Sequence, residues 1–283
     1  MVKESLPTFL VIGAAKCGTT SLASYLAAHP NIGMATPKEV NFFSLHWSQG
    51  LDFYRRRFAG VPEDIAGEAS PSYSRAPLIP GVPSRIASVV PDVRLIYLIR
   101  HPIDRMRSHY VDRLHEGRER AGTFSEALDS DRRYIDVSRY AYQIQLYLDY
   151  FPRNQLLVLT AEQLKADRET AMRRILTFLG ADSSILPPNL NHELNSAGEK
   201  FRLARSLDPF RSMWQRARPV TGRIPQRWRH WLRSTLSRRV SGEALHLSAE
   251  QEERLWGELI PDLDRLRNIV DPAIDLWTPN RTL

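Results

Sequence analysis

Phe9-Leu10-Val11-Ile12-Gly13-Ala14-Ala15-Lys16-Cys17-Gly18-Thr19-Thr20-Ser21-Leu22-Ala23-Ser24-Tyr25-Leu26 is the stretch from which the fold is read. Its first four residues are apolar and read as a buried strand; from Thr19 the spacing of Leu22, Tyr25 and Leu26 predicts a helix. The turn between them carries glycines, a lysine and a run of hydroxyl residues, Thr19-Thr20-Ser21. A glycine-bearing turn that feeds a helix N-terminus gathers free backbone N–H groups and the positive end of the helix dipole, which makes a cradle for a phosphate-like anion. The spacing fits G-x-x-x-x-G, yet Thr19 stands where an ATP-binding loop of that spacing has its lysine, and the lysine comes earlier, at Lys16. The loop therefore grips an anion but places its cation differently. An ordinary strand–turn–helix with a glycine in the turn explains the spacing, but not the coincident lysine and hydroxyl residues.

Outward from this stretch, strands are expected at 8–13, 64–68, 93–99 and 155–160, and helices at 19–29, 51–58, 82–90, 102–117, 139–151 and 168–180. Alternation of this kind predicts an α/β fold of three layers, a mostly parallel central sheet flanked by helices. The whole chain, 1–283, is read as one domain. Residues 201–240 differ: eleven Arg and three Trp (Trp214, Trp228, Trp231) are interrupted by Pro209, Pro219 and Pro225, and the stretch is expected to be a basic helical insertion. A last helix near 248–269, with Leu255, Leu259, Leu263, Leu266 and Ile269 at helical spacing, is expected to pack back on the core with the tail to 283.

The net charge of +7 suggests an anionic ligand or surface. Of the 39 basic residues only five are Lys, and Lys16, Lys38 and Lys200 among them fall in segments singled out on other grounds. One Cys excludes an internal disulfide and a cysteine-based metal site, and no metal-ligand spacing is visible. No apolar run reaches the length of a membrane span and no secretory signal is read, so a cytoplasmic protein is expected.

The strand at 93–99 runs into Arg100-His101-Pro102-Ile103-Asp104-Arg105-Met106-Arg107-Ser108-His109-Tyr110. Nucleotide hydrolases often end such a strand in an Asp that helps to hold Mg²⁺; an Arg cannot hold a metal but forks onto a phosphate. Pro102 suits the first turn of the helix that follows, and Ser108 adds a hydroxyl two turns on. Together they imply a second anion site, so one ligand with phosphate groups at both ends fits the pair.

With these two motifs the chain resembles the sulfotransferases that use 3′-phosphoadenosine 5′-phosphosulfate (PAPS), in particular their bacterial and heparan sulfate branches. Lys16-Cys17-Gly18-Thr19-Thr20-Ser21 is similar to their 5′-phosphosulfate loop, and Arg100 with Ser108 to their 3′-phosphate motif. Pro37-Lys38-Glu39-Val40-Asn41-Phe42-Phe43, Gly67-Glu68-Ala69-Ser70-Pro71-Ser72-Tyr73 and Phe151-Pro152-Arg153-Asn154-Gln155, with Glu162-Gln163-Leu164 and Phe178-Leu179-Gly180, extend the likeness over about residues 7–200. The resemblance implies a sulfuryl transfer from PAPS to a hydroxyl, leaving 3′,5′-ADP, with no metal required. A carbohydrate or glycolipid is the implied acceptor. It assigns Lys16 to the leaving group and Glu39 to the general base, with Glu68 and His46 as alternatives and Lys38 beside the sulfuryl group. Lys200 and Arg202 sit where the family closes a loop over the nucleotide. Heparan enzymes have a Lys where this chain has Ala69, and a disulfide that one Cys cannot form; both count against a true heparan enzyme and leave the acceptor open.

Other readings of single residues are blander. Glu39 alone reads as a carboxylate at a helix start, and Lys200 with Arg202 as a basic loop. Cys17 reads as a small loop residue, open to alkylation because helix N-termini favour thiolates. His101 and His109 read as scaffold. The 201–240 stretch could bind an anionic membrane surface, an acidic polymer or, less readily, nucleic acid, but suits plain helices covering a sheet edge better than any of these. The competing functions are an ATP-using kinase and a non-catalytic nucleotide or nucleic-acid binder built on the Arg-rich stretch.

Overall fold

The computed structural model describes residues 6–61, 64–191, 201–203, 237–239, 242–270, 274 and 276–278. Its central sheet is five-stranded, in the order β2-β3-β1-β4-β5, and parallel throughout. The strands are β1 (Phe9–Gly13), β2 (Ile32–Met34), β3 (Ile65–Ala69), β4 (Arg94–Ile99) and β5 (Leu156–Thr160). β1 and β5 are buried along their whole length and β4 from Leu95 onward, as expected of strands covered on both faces. The sequence shows the same thing as unbroken apolar runs.

Between β1 and β5 run α1 (Thr19–Ala27), α2 (Phe42–Leu45), α3 (Leu51–Arg55), α4 (Val82–Val89), α5 (Pro102–His115), α6 (Phe124–Ser130), α7 (Arg133–Asp136) and α8 (Tyr140–Leu148). After β5 come α9 (Ala161–Ala166), α10 (Arg168–Leu179), α11 (Gly242–Leu245) and α12 (Ala249–Ile269). Pro102 occupies the first turn of α5, whose N-terminus is capped by His101: its Nδ1 accepts from the Asp104 N–H at 3.4 Å. Thr160 with Gln163 and Ser248 with Gln251 form reciprocal capping boxes that start α9 and α12.

α12 buries Leu255, Trp256, Leu259, Leu263 and Leu266 and lies against α8, so its seat is a helix of the outer layer and not a strand. Its buried Asp262 accepts hydrogen bonds from the N–H groups of Ala141 (2.8 Å) and Tyr142 (3.0 Å), which places a carboxylate on the N-terminal turn of α8. The expected helical insertion at 201–240 is corrected at its ends: Phe201–Leu203 (β6) and Ser237–Arg239 (β7) form an antiparallel pair, with Phe201 opposite Arg239. The stretch between those strands, and Lys200, lie outside the described residues.

β1 has β3 on one side and β4 on the other. The chain thus winds first one way and then the other from β1, and a crevice opens where the loops leave β1 and β4 in opposite directions. Both anion motifs are on those loops.

Candidate functional site

Gly13 ends β1 at a φ of 155°, and a Cβ there would sit 1.9 Å from the Ser74 hydroxyl, so only glycine lets the strand end against that segment. The loop is tied to β4 by the Ala14 N–H, which donates to the Leu98 carbonyl at 2.6 Å. Lys16 takes a left-handed φ of 75° and Gly18 a φ of 92°, and α1 begins at once with Thr19. Gly18 and Thr20 are exposed at the mouth, Lys16 and Ser21 half-buried, Thr19 buried. Cys17 corrects its reading as an alkylation-sensitive thiol: the side chain is buried and burial pushes its pKa up to about 12, so it stays a protonated wall of the loop. Its N–H closes a turn onto the Ala14 carbonyl at 3.2 Å.

Arg100 follows β4. Its carbonyl accepts from the Tyr140 hydroxyl at 2.7 Å, and the next N–H, of His101, donates to Glu162 Oε1 at 2.9 Å. The backbone is therefore fixed on both sides of the peptide. The Arg100 guanidinium has no hydrogen-bond or ion-pair partner among the described residues. Ser108, half-buried on α5, lies one turn before Asp112 on the same helix face. Asp112 Oδ1 meets the Lys16 ammonium at 2.8 Å, which brings the loop after β1 and the helix after β4 together. Arg202 is described only through its backbone, in β6, which lies beside α5.

The Lys38–Glu39 segment comes to the same loop. Lys38 Nζ donates to Thr20 Oγ1 at 3.2 Å and pairs with Glu39 Oε1 at 2.8 Å. The segment is laced onto the end of β3: the Ala69 N–H donates to the Lys38 carbonyl (3.0 Å) and the Val40 N–H to Glu68 Oε2 (3.0 Å). Glu68 is fully buried, and its other hydrogen bonds come from Ser70, Tyr54 (2.8 Å) and Tyr73 (2.6 Å). Burial raises its pKa against these four donors. With both oxygens engaged, Glu68 anchors the segment that carries Glu39 and presents no lone pair to an acceptor. His46 stands with its ring 5.6 Å from that of Phe53, and no hydrogen bond or ion pair among the described residues joins it to Lys38 or the loop.

Beside α1 and β2 a cleft of about 770 Å³ is lined by Thr20, Ser24, Thr36, Lys38, Arg56 and Arg57 together with apolar residues and glycines, and no acid is among them. It shares Thr20 and Lys38 with the loop. Among the described residues no group of three metal-binding side chains occurs, and no helix is long and apolar enough to cross a membrane.

Two residues of α5 escape a reading by sequence. Asp112 is detectable only as the residue four beyond Ser108. Arg105 is fully buried, although arginine reads as surface; its Nε donates to Ser138 Oγ (2.6 Å) and its Nη2 to the Tyr134 carbonyl (2.6 Å). Its Nη1 lies 3.4 Å from Nδ1 of buried His109, which is held neutral, far below the usual histidine range, by burial and by Arg105 itself.

A family model described as a sulfotransferase domain matches residues 6–205. A human protein, bifunctional heparan sulfate N-deacetylase/N-sulfotransferase 3, is 33% identical over 199 residues, 62% of this chain and 22% of its own. Mouse heparan sulfate glucosamine 3-O-sulfotransferase 3A1 is 30% identical over 186 residues, 62% of this chain and 46% of its own. The chain thus spans from about a fifth to about a half of the length of these relatives. The crystal structure of a sulfotransferase from Alicyclobacillus acidocaldarius superposes with a TM-score of 0.67 at 26% identity, covering 94% of this chain and 96% of that one. A mouse sulfotransferase, SULT7A1, complexed with PAP, shares the fold with a TM-score of 0.51 at 14% identity, over 95% of this chain and 88% of its own.

Proposed function

Because this chain belongs to the sulfotransferase family, we propose that it transfers a sulfuryl group from PAPS to a hydroxyl of a carbohydrate or glycolipid and releases 3′,5′-ADP. The observation that carries this reading is the pairing of two anion motifs on neighbouring strands. The Lys16–Ser21 loop leaves β1, Arg100 and Ser108 follow β4, and Lys16 is joined to α5 through Asp112. A nucleotide bearing phosphate groups at its 3′ and 5′ positions has the two charges that such a crevice asks for.

The reaction breaks the bond from sulfur to the bridging phosphate oxygen and forms one from sulfur to the acceptor oxygen, in line. Negative charge grows on the leaving phosphate, so fixed donors there lower the barrier. Lys16 and the N–H groups from Gly18 to Ser21 are the donors aimed at that charge. The acceptor proton passes to Glu39, whose exposed carboxylate sits against Lys38 while its backbone is pinned through Glu68. The cleft past Thr20 and Lys38 has the volume for a sugar unit, with Lys38, Arg56, Arg57 and three hydroxyl residues set among apolar ones such as Ile32, Met34 and Val61. No step draws on a metal. The Arg- and Trp-rich 201–240 stretch supports peripheral contact with anionic membrane, which a vesicle flotation showing no preference for anionic lipid would refute.

An amine acceptor is the second reading, favoured by the likeness to N-sulfotransferases. An acceptor screen with paired amino and hydroxyl sugars separates the two. The donor is tested first, by calorimetric titration with 3′,5′-ADP against AMP and ATP. Tight binding of 3′,5′-ADP alone is expected. Preference for ATP would favour the kinase reading, against which Thr19 and the strand-end Arg100 speak.

A further inference from the structure

Arg105 has no solvent-exposed surface, and each of its hydrogen-bond partners is neutral: a hydroxyl, a carbonyl and the uncharged His109. Several other enclosed charges are answered, although the half-buried Arg75, close to Arg105, has an Nε without a hydrogen-bond partner. Arg113 has Glu119 at 3.1 Å, and Glu68 and Asp262 have their donors. Among the described residues no carboxylate pairs with Arg105. Besides His109, the titratable groups that act on it include Tyr140, Cys17, Tyr97 and Tyr134, and burial holds all four in their neutral forms. An interior cation without a counter-charge is costly, and a fold keeps one only where something else returns the cost.

Its neighbours say where that return comes from. Cys17 belongs to the first anion loop. Tyr97 lies opposite Gly13, where that loop begins, and the Tyr140 hydroxyl holds the carbonyl of Arg100. The guanidinium thus stands among the residues that carry both anion motifs. We infer that Arg105 is a buried counter-charge for the donor nucleotide, a positioning residue that touches no phosphate but acts through the low-dielectric wall formed by Cys17, Tyr97 and Tyr140. The inference rests on the donor reading above. It adds that the empty protein carries an unbalanced interior charge, which the nucleotide neutralises.

The test compares wild type with Arg105→Met, Arg105→Gln and Arg105→Lys, by calorimetry with 3′,5′-ADP and by thermal unfolding with and without it. Arg105→Met is expected to melt no lower than wild type when empty, and to bind 3′,5′-ADP at least tenfold more weakly, with a smaller ligand-induced rise in melting temperature. The weakening should persist at high salt, since ions do not screen an interior charge as they do an exposed one. Should Arg105→Met not fold, the Gln and Lys variants decide. Gln keeps polar hydrogen bonding without charge and is expected to bind at least tenfold more weakly than Lys; equal affinities overturn the inference. So does an Arg105→Met protein that melts well below wild type yet binds 3′,5′-ADP unchanged, which makes Arg105 purely structural. Wild-type protein that does not bind 3′,5′-ADP overturns the donor reading itself, and the inference with it.

Discussion

Lys16 and Asp112 form an ion pair in the crevice where an anion is expected, so a donor phosphate has to compete with Asp112 for the same ammonium. Removing that competitor has a definite sign. Asp112→Asn should bind 3′,5′-ADP several-fold more tightly, by calorimetry, because a negative charge leaves the neighbourhood of an anion site. Glu39→Gln tests a different function: it keeps the shape and loses the base, so kcat in a sulfuryl-transfer assay should fall roughly 10²-fold or more, with the affinity for 3′,5′-ADP held within about twofold. His109 links the site to acidity. Folded, it is held neutral by burial and by Arg105; unfolded, it titrates near the ordinary 6.5. Below that value the unfolded chain takes up a proton that the folded one refuses. Stability from this group is whole above pH 6.5 and drains away as the pH falls, by about 1.4 kcal/mol per pH unit. Denaturant titrations at pH 7 and near pH 5.5 should show the loss, and His109→Gln should flatten it.

Among the elements, the long ones were legible, as were short α3 and β3, while β2, α2, α6, α7 and α9 were not. Strands β1, β4 and β5 are continuous apolar runs, and α1, α5, α8 and α10 show helical spacing over two or more turns, so their expected limits lie within a few residues of those found. β2 is only Ile32–Met34, too short for any period, and its edge position comes from pairing with β3. α6 was missed although Thr123 and Glu126 form a readable capping box. The positions of the Lys16–Ser21 turn and of Arg100 at strand ends were legible because each is a turn chemistry that follows an apolar run. Glu68 was read by type, as a candidate base, and Arg105 was given no role, since a sequence does not show which charges the packing will enclose. The seat of α12 depends on one such enclosed group. Asp262→Ala leaves the N–H groups of Ala141 and Tyr142 unanswered in the interior, and should cost about 2 kcal/mol in unfolding free energy by denaturant titration.

At the scale of the molecule, the β6–β7 pair makes the stretch between Leu203 and Ser237 leave and re-enter at one place, because those two residues are opposed in the ladder. Replacing 204–236 by a short Gly-Asn turn should therefore preserve the thermal midpoint and the binding of 3′,5′-ADP within about twofold, while removing any affinity for anionic vesicles. The order of strands has another consequence, for the way the chain is made. Of the five strands of this sheet β1 is made first, but its partners are β3 and β4, and the second of these ends at Ile99. Until β4 has been synthesised, Phe9-Leu10-Val11-Ile12 is an apolar segment with at least one ladder edge unfilled, the kind of segment that nascent-chain chaperones hold. The same segment carries the Lys16–Ser21 loop at its end, so the crevice closes only when the last of β1's two neighbours joins the strand that was made before both of them.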